Sequence, residues 1–167
     1  GKDSFAAACF LQPRGQLKGC VALATGVCTP DWMQHVQTTC QREGWPLEFY
    51  QTPARYENIV SRYGFPGPAQ HGTIMNMLKG RAIRLFKKAH GNSILASGVR
   101  SAESSRRLGS AKAVGKFEGV TVIAPLLDWT TAQVWSYVTR HGYQRAPAYS
   151  TLQMSGDCLC GAFARAD

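Results

Sequence analysis

The fold is indicated most clearly by Ser93-Ile94-Leu95-Ala96-Ser97-Gly98-Val99-Arg100, an apolar run that leads directly into a glycine and an arginine. Residues 93–97 have the length and the apolar character of a buried strand. Gly98 allows the backbone to turn or to approach a ligand closely. In an open α/β sheet, ligands bind beyond the carboxyl ends of the strands. The stretch therefore predicts one strand of such a sheet, with Arg100 placed where a ligand would bind.

Three further apolar runs of strand length lie along the chain, at residues 19–24, 47–50 and 120–124. Helical patterns separate the strands, at residues 2–11, 30–43, 75–89 and 131–141. Thr130 and Gln133 form the residue pair of a capping box at the start of the last helix. Strands that alternate with helices predict an α/β fold, with a doubly wound, mainly parallel sheet and helices on both faces.

The clearest helical pattern is the one at residues 75–89. Its apolar residues recur every three or four positions and form one stripe: Met75, Leu78, Ala82, Leu85 and Ala89. Such a stripe predicts the buried face of an amphipathic helix. The basic residues between them are expected to form a solvated face.

Composition and charge limit the class of protein. The chain has 167 residues, of which 44% are apolar and 17% charged, and its formal net charge is +9. These values exclude a disordered chain, collagen and a coiled coil, and no apolar run approaches the roughly 20 residues that span a membrane. The basic excess favours an anionic partner, although a basic protein without such a partner has the same composition. The chain has six cysteines, and four of them are scattered through predicted helices and strands. This pattern does not indicate a disulfide scaffold, so we expect a cytoplasmic protein.

The first four residues, Gly1-Lys2-Asp3-Ser4, directly precede a predicted helix. A glycine turn, a lysine and a hydroxyl at this place suit an anion, because the free N–H groups and the positive end of the helix dipole face it. An ordinary helix start capped by a polar side chain fits the same four residues.

The segment that follows the strand at residues 93–97 is rich in arginine: Arg100, Arg106 and Arg107. Guanidinium groups pair with phosphate or sulfate through two parallel hydrogen bonds. Glu103 could orient an arginine or accept a hydrogen bond from a ribose hydroxyl. A solvated charged loop is the alternative interpretation.

Cys158 and Cys160 lie one residue apart between Gly156 and Gly161. They fit a nucleophilic thiol pair, two metal ligands or a structural turn. The positive charge of the chain favours the thiolate form, so we expect these two cysteines to react first with an alkylating reagent. The four histidines share no metal-ligand spacing and are expected at the surface or in loops.

Several of these segments, in this order, resemble the phosphoadenosine phosphosulfate (PAPS) reductase-like family of the adenine nucleotide alpha-hydrolase (PP-loop) superfamily. Residues 1–4 resemble the end of its pyrophosphate-binding loop, and Gly98-Val99-Arg100 with Glu103, Ser104 and Arg106 its strand-end arginine segment. Ala124-Pro125-Leu126-Leu127-Asp128-Trp129-Thr130 is similar to the stretch that leads into a helix of the family. Gly64-Phe65-Pro66 and Ser155-Gly156-Asp157-Cys158-Leu159-Cys160-Gly161 also have counterparts there, the latter in a cysteine-bearing tail.

The resemblance implies a nucleotide-binding domain at residues 1–142 and a cysteine-bearing tail at residues 143–167. The implied ligand is PAPS or, with Mg²⁺, ATP, and the implied nucleotide- and phosphate-binding residues are Gly1, Lys2, Asp3, Ser4, Thr25, Gly26, Gly98, Arg100, Glu103 and Arg106. In the reductases a thiol attacks the sulfur of PAPS and sulfite is released, and catalysis would here pass to Cys158 or Cys160. The resemblance is compatible with a thiol donor protein as a partner and with a homo-oligomeric assembly.

Two other functions remain open at this point. An ATP pyrophosphatase of the superfamily would activate a substrate, such as a nucleic acid, for thiolation, and a nucleotide-binding protein of the same fold would lack turnover. Some relatives carry an iron–sulfur cluster, and zinc is the other metal that Cys158 and Cys160 could bind.

The chain departs from the family pattern in three places. The strand that precedes the pyrophosphate-binding loop is absent, so we expect it upstream of Gly1. Thr25-Gly26 lacks the aspartate that commonly precedes this pair in the family. The Glu-Cys-Gly-Leu-His tail that carries the nucleophilic cysteine of well-known reductases is also absent.

Overall fold

A computed structural model describes residues 1–51, 55–103 and 111–161. The chain divides into two compact units. Unit 1 comprises Gly1–Cys20 and Asn92–Arg145, and unit 2 comprises Val21–Gly91 and Ala146–Asp167. Among the described residues, no helix has both the length and the hydropathy needed to cross a membrane. The functional division at residue 142 stays a prediction.

Strands and helices alternate as the sequence predicts, and the structure adds two short helices that were not predicted, at Tyr56–Tyr63 and Tyr149–Leu152. The strands are β1 (Cys20–Ala24), β2 (Leu47–Gln51), β3 (Ile94–Ala96), β4 (Val114–Phe117) and β5 (Val120–Ile123). The α-helices are α1 (Lys2–Leu11), α2 (Trp32–Glu43), α3 (Tyr56–Tyr63), α4 (His71–His90), α5 (Thr131–Arg140) and α6 (Tyr149–Leu152). Short 3₁₀ turns lie at Gln12–Arg14 and Ser101–Glu103.

Unit 1 contains a three-stranded sheet in the order β3-β5-β4. Strands β3 and β5 are parallel, with Leu95 opposite Val122, which confirms the predicted α/β class with parallel pairing. Strand β4 was not predicted from the sequence. It pairs antiparallel with β5 through a two-residue turn, Glu118-Gly119, whose φ angles of 52° and 74° are those of a type I′ hairpin.

Helix α1 is buried over most of its length in unit 1. Its buried residues include five in succession, from Phe5 to Cys9, and α1 packs against α5. A helix that is apolar on all sides is one that the fold surrounds. On α5, Val134 and Val138 are fully buried. Only the first turn of α1 is polar, so the packing of this helix fixes where Lys2 and Asp3 lie.

In unit 2, β1 and β2 are neighbours in a two-stranded sheet, and α4 packs against β2. A buried cluster joins the loop after β1 to α3 and α4, through Val27, Ile59, Ile74, Met75 and Leu78. Tyr56 and Cys158 pack against this cluster, so the cysteine loop is held against the core of unit 2.

The predicted stripe on α4 is correct in its first half only. Met75, Leu78 and Ala82 are buried, but Leu85 is 44% exposed and Phe86 is buried instead. The predicted stripe repeats every 3.5 residues on average, whereas a straight helix has 3.6 residues per turn. The two patterns therefore drift apart by about 20° in each heptad.

The capping box at the start of α5 is present, since Gln133 N–H donates to Thr130 Oγ1 over 3.2 Å and Thr130 N–H donates to Gln133 Oε1 over 2.8 Å. We expect Thr130→Ala to lower the free energy of unfolding by about 1 kcal/mol, because an orphan N–H loses its acceptor. Thr139→Ala, an exposed change near the other end of the helix, is the control. Urea unfolding measures both, and equal effects of the two variants would contradict a capping role.

Candidate functional site

Arg100 is the most deeply buried charged side chain among the described residues, at 1% exposure. Its Nε donates to Asp3 Oδ1 over 2.7 Å. Its Nη1 donates to the Trp129 carbonyl oxygen over 3.0 Å and to Thr131 Oγ1 over 3.4 Å. A buried guanidinium requires such partners, because its desolvation would otherwise cost several kcal/mol. Arg100 thus connects the segment after β3 with the first turns of α1 and α5.

Asp3 bridges two cations. Its Oδ2 accepts from Lys2 Nζ over 2.7 Å, while its Oδ1 accepts from Arg100. Burial raises the pKa of the Asp3 carboxyl, but the hydrogen bonds and charges of Lys2 and Arg100 outweigh burial, and the pKa lies below its ordinary value. The carboxylate form is therefore the stable one near neutral pH. The sequence placed both segments at a ligand site, and the fold brings them into contact across 97 positions.

Gly98 allows the segment after β3 to approach α1. A Cβ atom at this position would lie 2.6 Å from the Asp3 carbonyl carbon and 2.7 Å from the Ser4 nitrogen. The predicted close approach of the backbone therefore exists, and it is made to the first turn of α1. Without it, Arg100 could not reach Asp3 in this geometry.

The remaining predicted site residues of unit 1 belong to the same two segments of the chain, residues 1–4 and 98–107. Gly1 directly precedes α1, and Ser4 is an exposed residue of its first turn. Glu103 is exposed at the end of a 3₁₀ turn. Ser104, Arg106 and Arg107 lie outside the described residues.

Two cationic side chains of unit 1, Lys2 and Arg145, lie near the ring of Trp135. Lys2 Nζ lies 5.7 Å from the centre of the Trp135 ring, and Arg145 Cζ lies 4.7 Å from it. These distances are within the range of cation–π attraction. The aromatic face therefore helps to hold two positive groups in unit 1.

Thr25 and Gly26 follow β1 in unit 2. Thr25 is 2% exposed, and within the described part of the chain its Oγ1 has no hydrogen-bond partner. Leaving a buried hydroxyl unsatisfied costs about 1–3 kcal/mol. Such an atom marks a place where a polar ligand would be favoured.

The cysteine loop of unit 2 brings together Cys158, Cys160 and His71. His71 Nδ1 lies 3.2 Å from Cys160 Sγ, and the ligand atoms of all three residues lie within 4.8 Å of one another. His71 is the first residue of α4. His71 was expected at the surface or in a loop, and it is instead a half-buried helix residue in contact with Cys160.

The structure also contradicts the expectation of a thiolate at Cys158. Burial raises the pKa of its thiol to about 11, and the nearby Cys160 side chain acts in the same direction. Cys160 itself is 3% exposed. Cys158 packs against the buried cluster of unit 2, and at its sulfur this burial outweighs the positive net charge of the chain.

The family model of the phosphoadenosine phosphosulfate reductase domain matches residues 1–153. The chain belongs to this family. The match confirms the resemblance seen in the sequence, and it ends before the loop that carries Cys158 and Cys160.

A solved PAPS reductase has the same fold. The crystal structure of phosphoadenylyl-sulfate (PAPS) reductase from Candida auris, in a phosphate complex, aligns with 86% of this chain and 70% of its own, with a TM-score of 0.59 and 18% sequence identity. A search of curated proteins found no match to the chain. At this identity the structural likeness establishes the fold of a PAPS reductase domain and leaves the substrate open.

Sequence reasoning missed the contributions of Trp129, Thr131, Tyr56 and His71. The Trp129 contact is made by a backbone carbonyl, which every residue carries, so no side-chain pattern reveals it. His71 is 89 positions from Cys160 and has no metal-ligand spacing to any cysteine. The glycine- and proline-rich segment before α4 was the one signal that His71 could approach a ligand.

We expect Gly98→Ala to destabilise the protein by about 1–3 kcal/mol, because the new methyl group would overlap the backbone of Asp3 and Ser4. The matched control is Gly115→Ala in β4, where a Cβ atom meets nothing within 4 Å. Thermal unfolding of both variants measures the difference. A melting temperature of Gly98→Ala equal to that of the control would show that the close approach does not exist.

Asp3→Ala should cost about 3 kcal/mol of stability, since it leaves the Arg100 guanidinium buried without its carboxylate. Asp3→Asn should cost less, because an amide oxygen can still accept from Arg100. Because folding lowers the pKa of Asp3, its contribution is complete above the ordinary pKa of 3.8 and is lost as the pH falls through the folded pKa.

The difference in unfolding free energy between the native chain and Asp3→Asn should therefore be constant near neutral pH and shrink below about pH 4. Urea unfolding at a series of pH values measures it. A difference that persists unchanged into acid would mean that the carboxylate charge contributes nothing.

Proposed function

We propose that the protein binds an adenine sulfonucleotide and reduces its sulfonyl group to sulfite. The observation that carries this proposal is the cationic cluster at the start of α1, where Lys2 and Arg100 share Asp3. The two cations and one carboxylate leave one net positive charge beside the first turn of a helix. Membership of the PAPS reductase domain family supports the same ligand class.

Phosphate recognition is proposed for the first turn of α1. Its N–H groups and the positive end of its dipole suit an oxyanion, and the Lys2 ammonium has two further N–H donors besides the one directed at Asp3. Gly1 and Ser4 belong to this phosphate contact. The phosphate complex of the Candida auris reductase supports an anion ligand for this fold.

Arg100 is proposed to act on the ligand through Asp3. Its Nε and Nη1 donate to protein acceptors, so its first role is to hold the α1 turn and the segment after β3 in place. Gly98 permits that approach. Glu103 and Arg106 are proposed as further nucleotide contacts because of their place in the same segment.

Thr25 and Gly26 are proposed as a polar contact to ligand in unit 2. The buried hydroxyl of Thr25 has no acceptor or donor within the described residues, and a ligand oxygen or nitrogen would satisfy it. The resemblance to the family also implies that Thr25 and Gly26 contact the nucleotide. Removal of the hydroxyl by Thr25→Val should thus cost more in ligand binding than in stability.

The proposed reaction is a two-electron reduction by thiols. A thiolate attacks the sulfur of the sulfonucleotide, the bond from sulfur to the nucleotide phosphate oxygen breaks, and adenosine 3′,5′-bisphosphate leaves with that electron pair. A second thiolate attacks the thiol-derived sulfur of the resulting S-sulfonate, sulfite departs with the electron pair of the broken S–S bond, and the two thiols end as a disulfide. We assign these thiols to a separate donor protein, because Cys160 is buried and Cys158 packs against the core of unit 2.

An ATP pyrophosphatase is the second candidate. The α1 cluster recognises a phosphate oxyanion and contains nothing that selects a sulfonyl group over a phosphoryl group. With ATP, Mg²⁺ would be required, and the products would be AMP and pyrophosphate. Binding without turnover is the remaining alternative.

Calorimetric titration with PAPS, adenosine 3′,5′-bisphosphate and Mg²⁺-ATP tests the nucleotide site. We expect both 3′-phosphorylated nucleotides to bind, and Lys2→Ala to weaken binding about 10- to 150-fold, since a hydrogen bond to a charged group contributes roughly 1.5–3 kcal/mol. Lys18→Ala removes the same charge from an exposed position of unit 1 and is the control. Equal affinities of the two variants would remove the α1 cluster from the site.

Turnover separates the candidate functions. Sulfite release from PAPS in the presence of a reduced thiol donor supports the reductase. Formation of AMP and pyrophosphate from Mg²⁺-ATP, without sulfite from PAPS, would replace it with the pyrophosphatase. Tight binding with neither product would leave a nucleotide-binding protein.

A further inference from the structure

The sulfur and nitrogen atoms of Cys158, Cys160 and His71 form a compact group in unit 2. Their three possible ligand atoms, two sulfurs and one ring nitrogen, all lie within 4.8 Å of one another. The nucleotide chemistry proposed above uses none of the three. Their convergence from positions 71, 158 and 160 is the product of tertiary folding.

We propose that Cys158 Sγ, Cys160 Sγ and His71 Nδ1 bind one Zn²⁺ ion in a tetrahedral site with its fourth position open to a water molecule or an external thiol. Three protein ligands with an exchangeable fourth position are the arrangement of catalytic and regulatory zinc sites. The site does not depend on the proposed reduction of a sulfonucleotide.

The size of the group fits a single ion. With bonds of about 2.3 Å to sulfur and 2.0 Å to nitrogen, a tetrahedral zinc ion holds its ligand atoms roughly 3.5–3.8 Å apart. His71 Nδ1 and Cys160 Sγ are already 3.2 Å apart, and no pair of the three ligand atoms exceeds 4.8 Å. Small rotations of the side chains would complete the geometry.

The loop that carries the two cysteines is held on both sides. Thr29 N–H donates to the Gly156 carbonyl over 2.8 Å, and Leu159 N–H donates to the Val27 carbonyl. The Tyr56 hydroxyl donates to the Cys160 carbonyl. These three bonds fix the backbone before, between and after the cysteines, so little conformational entropy would be lost when an ion binds.

His71 is held independently of that loop. It begins α4, whose next turn contributes Ile74 and Met75 to the buried cluster of unit 2. Met75 Sδ lies 3.4 Å from Cys158 Sγ. The positive end of the α4 dipole also favours the two thiolates that a bound ion requires.

The donor set selects the class of metal. Two thiolates and one imidazole suit Zn²⁺, and they do not suit Mg²⁺, which prefers oxygen ligands. Two thiolates also neutralise the charge of a divalent ion, which lowers the cost of placing it beside the core. A cubane iron–sulfur cluster is commonly held by four cysteine thiolates, whereas this group has two.

Metal analysis of the full chain, purified under reducing conditions and dialysed against Zn²⁺, tests the proposal. We expect about one zinc ion per chain. Cys158→Ser and Cys160→Ser should each lower retained zinc at least several-fold, whereas Cys20→Ser and His141→Asn should leave it unchanged. Substitution by Co²⁺ should give the intense near-ultraviolet absorption of thiolate-to-metal charge transfer together with the visible bands of tetrahedral coordination.

The variant His71→Cys separates loss of a ligand from loss of the fold, since it should still bind Co²⁺ and increase the charge-transfer absorption by about one half, with three thiolates in place of two. Full zinc occupancy in both cysteine-to-serine variants would overturn the proposal. So would a folded, reduced chain that binds neither Zn²⁺ nor Co²⁺, a Cys158–Cys160 disulfide that persists in excess reductant, or iron and sulfide in equal amounts in anaerobic preparations.

Discussion

The buried ion pair between Arg100 and Asp3 connects three segments of unit 1. A guanidinium at 1% exposure has exchanged nearly all its water for protein acceptors, and these acceptors come from the first turn of α1 and the residues at the start of α5. Removing one partner from such a pair typically costs 3–5 kcal/mol. This ion pair therefore fixes how the start of α1, the end of β3 and the start of α5 lie relative to one another.

The same ion pair lets a buried cation position polar side chains at the start of α1. Arg100 neutralises part of the Asp3 charge and fixes its carboxylate, which in turn orients the Lys2 ammonium at the N-terminus of α1. Gly98 makes this possible by bringing two backbones to a separation that no side chain would tolerate. The first turn of α1 is held rigidly in this way, so binding of the phosphate group proposed for it would cost little conformational entropy.

Unit 2 follows a different principle, in which backbone hydrogen bonds position a loop that has little regular structure. Val27, Thr29 and Tyr56 each bond to a main-chain atom of the segment from Gly156 to Cys160. The sulfurs are thereby fixed against α4. Burial then makes Cys158 a weaker acid than an exposed thiol, which is the opposite of what the net charge of the chain indicated.

The sequence by itself determined the local elements and the class of fold. The spacing of apolar residues predicted four of the five described strands and the longer helices between them. The residue types at a helix start predicted the capping box at Thr130. Both signals act over a few residues. The resemblance to the family implied that Gly1 to Ser4 and Arg100 serve one nucleotide, and the fold brings Asp3 and Arg100 into contact. Only the tertiary structure decided that β4 pairs with β5, that Phe86 replaces Leu85 in the buried face of α4, and that His71 meets Cys160. These three features depend on side-chain packing and on contacts between residues far apart in the chain. Such interactions produce no periodic pattern in the sequence.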